Sequence, residues 1–141
     1  MAQTETVTNT GIAEWVVLMS DATSPAATAA NKIVALNMAT VCTAAVASTF
    51  ADPADTATHH TDGGLDIATV ATMAQDTTTT TGDTITFDHV FTASATRNVA
   101  GIHLCNNDGD VTFVECCFNA VIAMETSDTL TIDGAVVLDQ A

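Results

Sequence analysis

The residues best suited to chemistry in this 141-residue chain are its histidines, cysteines and carboxylates, and their spacing decides whether they can act together. His59 and His60 stand beside Asp55 and Asp62, a set of imidazole and carboxylate donors that suits zinc or a similar ion. Adjacent ligands splay apart, and no second ligand pair stands at metal-site spacing. His59, His60 and Asp62 are thus the metal candidates, with solvated loop residues as the plainer reading. Asn106, Asp108 and Asp110 imitate the start of a calcium loop, but Val111 stands where the sharp turn needs glycine and Cys117 where a bidentate Glu belongs. A turn explains them.

The cysteines are Cys42, Cys105, Cys116 and Cys117. In a strand the vicinal pair points to opposite faces, and no CxxC occurs. A hairpin about Asp108-Gly109 sets Cys105 across from Thr112, a register that gives no cross-strand disulfide. All four are expected as reduced, buried thiols packing as small apolar residues. A cysteine nucleophile with His103 or His89 is conceivable, though nothing in the spacing asks for it, and His89 on an apolar face reads as a hydrogen-bonded core histidine. GxGxxG, P-loop, GxSxG and HExxH motifs are all missing. An active site usually wants a cationic or oxyanion-stabilising group and the only cations are Lys32 and Arg97, so the expectation is no enzyme, no catalytic residue and no cofactor.

Those two cations face 17 acidic residues, for a formal net charge of -15. Binding phosphates takes several Lys or Arg per site, so nucleic acid is excluded as a direct partner, and an anionic membrane surface with it. No apolar run reaches the roughly 18 residues of a membrane span. The N-terminus lacks a basic segment followed by an apolar one, which points to synthesis in a cytoplasm and underlies the expectation of reduced thiols.

Elements that could position these groups are short. The length fits one domain, and an apolar fraction rich in Ala implies a thin aliphatic core that association would supplement. Residues 1–10 are polar and Thr-rich and read as an N-terminal arm, flexible or completing a neighbour's sheet edge. Residues 11–141 form one sandwich domain. Its first strand is Ile12 to Met19, followed by a loop around Pro25. Residues 32–50 fit both helix and strand, and residues 51–64 read as an exposed, protruding loop. From Leu65 the chain becomes a series of strands: Leu65 to Ala74, Thr84 to Ala93, Val99 to Cys105, Val111 to Asn119 and Thr129 to Leu138. Ile85, Phe87, His89 and Phe91 share one face of the second of these, and Leu130, Ile132, Gly134, Val136 and Leu138 one face of the last. The fold class is all-β, an antiparallel, jelly-roll-like β-sandwich.

The order of Trp15 to Ser20 with Pro25, Gly64-Leu65, Phe91 to Ala95, Gly101 to Asn106, and Ser127 to Ile132 resembles a family of small phage and archaeal-virus virion proteins. Its members carry a "WVALS-D-TAP" opening, a "GL-RA" strand, a "FTATG" strand end, a "GLFNA-TGG" hairpin and a final "GDTLTVTW" strand. Here Leu104-Cys105-Asn106 replaces Leu-Phe-Asn, and residues 32–62 resemble an insertion. The resemblance implies a virion structural protein without catalytic residues, a homo-oligomer that meets other virion proteins such as the major capsid protein, as head decoration, head fibre or tail component. A tail-tip or receptor-binding module is one alternative, although sugar sites want exposed aromatic platforms and the chain has no Tyr and one Trp. A cell-surface filament subunit is the other.

Overall fold

The structure is a computed structural model that describes residues 4–8, 31–70, 72–76, 84–106 and 111–137. The strand expected over Ile12 to Met19 and the turn at 107–110 lie outside these residues. Among the described residues, nine strands make two antiparallel sheets: β1 (Thr4–Val7), β2 (Lys32–Asn37), β3 (Thr58–His59), β4 (Ala68–Thr69), β5 (Thr72–Asp76), β6 (Thr84–Thr92), β7 (Arg97–Cys105), β8 (Thr112–Met124) and β9 (Thr129–Val137). The larger sheet runs β1-β8-β7-β2-β3, with β4 also on β2, and the smaller runs β5-β6-β9. The all-β class and the sandwich-like pairing of antiparallel sheets are as expected.

The inner core follows from alternation. On β6, Phe87 and Phe91 are buried, and β9 supplies Ile132 and Val136. Ile33 and Ala35 of β2, Ile102 and Leu104 of β7, and Val114 of β8 meet them from the larger sheet. Gly134 sits opposite Phe87 in register. A Cβ there would fall 2.4 Å from the ring's Cζ, so glycine is what lets the ring lie against β9.

The chain departs from the expected strands in three places. Leu65 to Ala74 is two strands, because β4 pairs with β2 in one sheet and β5 with β6 in the other; the chain changes sheets between them. β8 is longer than expected. Val99 pairs with Ile122 and Gly101 with Cys117, so residues 118–121 bulge opposite Ala100. Residues 4–7, expected within an arm, form the edge strand β1 on the chain's own β8 (Thr4↔Cys117, Val7↔Val114).

The largest correction concerns residues 32–64. Of residues 32–50 only Lys32–Asn37 is strand; residues 38–50 follow an irregular path across the outer face of the larger sheet. The protruding loop expected over 51–64 instead packs against the sheet. Pro53, Ala54, Ala57 and His60 are buried, Ala54–Thr56 make one turn of 3-10 helix, and the His60 amide donates to Ala35 O. Strands β2, β7 and β8 are therefore buried on both faces over much of their length, which explains their near-continuous apolar runs.

Candidate functional site

Beneath the cover of residues 38–60, polar groups line up across the outer face of the larger sheet. His59 of β3 is opposite Leu36 of β2, and His103 of β7 is directly opposite Glu115 of β8. Both His103 and Glu115 are fully buried. His103 Nε2 lies 2.7 Å from Glu115 Oε1, and His103 Nδ1 lies 2.9 Å from His59 Nε2 and 3.1 Å from Thr112 Oγ1. The Phe50 ring stacks on His59 with centroids 4.1 Å apart.

Glu115 is the hub. Its Oε1 also accepts the Ala54 amide at 2.9 Å; its Oε2 accepts the Ala45 amide at 2.9 Å and the Ser48 hydroxyl at 2.7 Å. Burial alone would raise this carboxyl, but bonds from His103, Ala54, Ala45 and Ser48 outweigh it and hold the group down to about 2. Three of the four donors belong to the cover, so the carboxylate fixes irregular chain to a strand. An ionised carboxylate only accepts, so His103 donates through Nε2 and, when neutral, accepts through Nδ1. The His59 imidazole is pushed down to about 4, by burial first and then by His103, with Glu115 opposing.

A covalent clamp accompanies this hub. Cys42 of the cover is joined to Cys117 of β8 across a sequence separation of 75 residues, with Cα atoms 5.4 Å apart. This corrects the expectation that all four cysteines are reduced. The irregular cover carries Cys42 over the outward face of β8, a path that strand register could not supply. Cys105 and Cys116 are buried outside the disulfide, and burial pushes the Cys105 thiol up to about 12.

The metal candidates go to separate partners. His59 meets His103; His60 Nε2 lies 2.9 Å from Asn98 O; Asp62 Oδ1 accepts from Arg97 Nη2 at 2.7 Å. Burial lowers the His60 imidazole, partly offset by the Asn98 carbonyl. Among the described residues, no group of three or more His, Cys, Asp or Glu side chains is placed to hold a metal. His89 is half-buried, edge-on to Phe91, with Nδ1 lacking a partner among the described residues; burial lowers it, and a backbone bond at Thr69 opposes that. Sequence reasoning missed Glu115 and Ser48. Glu115 had a signal: it is a lone carboxylate in the apolar run Phe113 to Phe118.

A cavity of about 280 Å³ opens on the opposite face of the sheet, between the β8 bulge and β9. Phe87, Ile102, Val114, Phe118, Leu130 and Ile132 line most of it, with Asn119, Thr131 and Asp133 also present, and it lies on the other side of the sheet from the polar hub.

Fold and site together define an all-β sandwich whose buried polar cluster fastens its own cover. The Ser48 hydroxyl donates to Glu115 Oε2 at 2.7 Å and so serves to hold the cover to the carboxylate. No family model, no curated protein and no solved structure matches this chain.

Proposed function

We propose that this chain is a structural protein of a tailed-virus particle, self-associating and decorating or completing the shell as head decoration or head fibre. The motifs that carry the resemblance support this reading by where they fall. Three of them meet at one corner of the sandwich. Ser94 N donates to Gly63 O, Ala93 N to Asp128 O, and Ser127 N to Ala93 O. Gly64 has φ of 75°, and a Cβ on it would lie 2.1 Å from Thr92 O. Ser127 has φ of 76°, in the left-handed region, at the position where the resembled "GDTLTVTW" motif has glycine. The shared residues thus have a shape-determining role, as a building block requires.

The partners in this reading are further copies of the chain and other virion proteins such as the major capsid protein, with neither nucleic acid nor membrane. Synthesis is in the host cytoplasm and residence in the virion. The chain is not an enzyme: the buried acid, hydroxyl and imidazoles are committed to one another. Many copies on one shell let modest contacts add up.

The Cys42–Cys117 disulfide favours an oxidising residence, which virion surfaces and cell surfaces both provide. It therefore supports the filament alternative as well. Electron microscopy of purified particles with labelled antibody separates the two. Many copies spread over the shell are expected; label confined to cell-surface filaments and missing from particles would overturn the proposal.

A further inference from the structure

The sandwich is open along one side. Among the described residues, β9 pairs with β6 alone and β1 covers the outer edge of β8 no further than Cys117, so beyond that point β8 also ends its sheet. The cavity of about 280 Å³ lies between these two edges, lined by Phe118 and Ile122 from β8 and by Leu130 and Ile132 from β9. Thr131, Asp133 and Ala135 line it too, although alternation turns their side chains to the exposed face, so its mouth runs along the β9 backbone. An edge of unpaired amides and carbonyls beside unfilled apolar space suits strand addition: main-chain bonds form along the edge, and every second side chain enters the cavity. We infer that this seam docks an extended segment of another protein in which apolar and basic residues alternate, the segment adding a strand to β9 and filling the cavity.

Charge selects the partner. Asp133 of β9 stands directly opposite Asp88 of β6, on the face of the smaller sheet turned away from Phe87 and Phe91. Like charges so placed repel each other. Among the described residues both cations of the chain are engaged elsewhere, Arg97 with Asp62 and Lys32 with Thr69 Oγ1. A lysine or arginine on the outward face of an added strand meets Asp133 and, one strand further on, Asp88. A second copy of the chain cannot supply that residue. Its only cations are Lys32 on β2 and Arg97 on β7, which are interior strands of the larger sheet, and each copy carries a net charge of -15. The carboxylates that attract a basic segment therefore keep copies of this chain apart at the same edge.

This docking site does not rest on the virion reading. Its probe is a synthetic peptide matched to the nine residues of β9, with lysine at odd positions and valine at even ones, titrated into the full chain and followed by NMR. It should bind with a Kd below ~1 mM, shift the Leu130 and Ile132 methyls, and slow exchange at the β9 amides that do not bond to β6. A peptide of the same composition with its lysines and valines in two blocks should bind at least about tenfold more weakly, because it cannot follow the edge and fill the cavity together. Asp133→Asn should raise the Kd about two- to fivefold. The same change at Asp52, an exposed carboxylate of the cover, should leave it unaltered. Equal binding of the two peptides, equal effects of the two substitutions, or shifts spread over the whole acidic surface would reduce the contact to general charge attraction and overturn the proposal. Absent binding would overturn it as well. So would β9 protection that rises with the concentration of the chain alone, which would assign the edge to a second copy.

Discussion

The two faces of the larger sheet are buried by opposite means. The inner face meets the second sheet through Ile33, Ile102, Leu104 and Val114, apolar groups whose contacts need no particular partner atom. The outer face meets irregular chain through a small apolar cluster of Leu36, Ala57 and Ala100 and, beside it, through Glu115, His103, His59 and the Cys42–Cys117 bond, where each contact depends on one named atom. The difference predicts distributed tolerance inside and a single point of failure outside. A buried carboxylate is worth its cost only when its donors are all present.

The comparison breaks most sharply at the two centres of burial. Phe91→Ala should lower unfolding free energy by roughly 3–5 kcal/mol through the cavity it leaves, measured by chemical denaturation. Glu115→Ala should cost a similar roughly 3–5 kcal/mol, because it strands His103 and two backbone amides away from water. Removing the disulfide with Cys42→Ala and Cys117→Ala together should cost roughly 2–5 kcal/mol.

Acid should act chiefly on the outer face. The Glu115 carboxyl is held at about 2 against an ordinary 4.5, so its stabilisation is complete above pH 4.5 and is lost as pH falls from there toward 2. His59 is lowered from 6.5 to about 4, so the folded state resists its proton, and stability falls as pH drops from 6.5 toward 4. Denaturation midpoints at pH 7, 5 and 3 should therefore decline in that order, and the Glu115→Ala chain should lose the lower step. The smallest effect belongs to the corner: Ser127→Gly should stabilise the chain by about 0.5–1 kcal/mol in thermal unfolding by removing a side chain from the left-handed region.

The same contrast explains what could be read from the sequence. On β6 and β9, Phe87, Phe91, Ile132 and Val136 fall at period-two positions, so their face was legible without a structure. β2 was legible as strand only in part, since an apolar run buried on both faces has no alternation to read. The outer cluster was not legible because its bonds join residues far apart: Ala45, Ser48 and Ala54 reach Glu115 across 61 to 70 positions of sequence from an irregular segment. His59 and His60 were read as solvated loop residues or, with Asp62, as metal candidates; instead His60 is buried and His59 meets His103, which is far in sequence but close in space. Cys42 shows the same effect: strand register predicts which cysteines oppose each other in a sheet, not which one a loop delivers.

The central claim is that a single carboxylate fastens the cover to the sheet, and native-state amide exchange on Glu115→Gln tests it most directly. Gln keeps the shape but loses the charge and one acceptor, so the Ala45 and Ala54 amides should lose at least about tenfold in protection beyond any global change. Amides pairing β6 with β9 should change only as much as global stability does. Unaltered protection at Ala45 and Ala54, or a loss spread evenly over both sheets, would contradict the account.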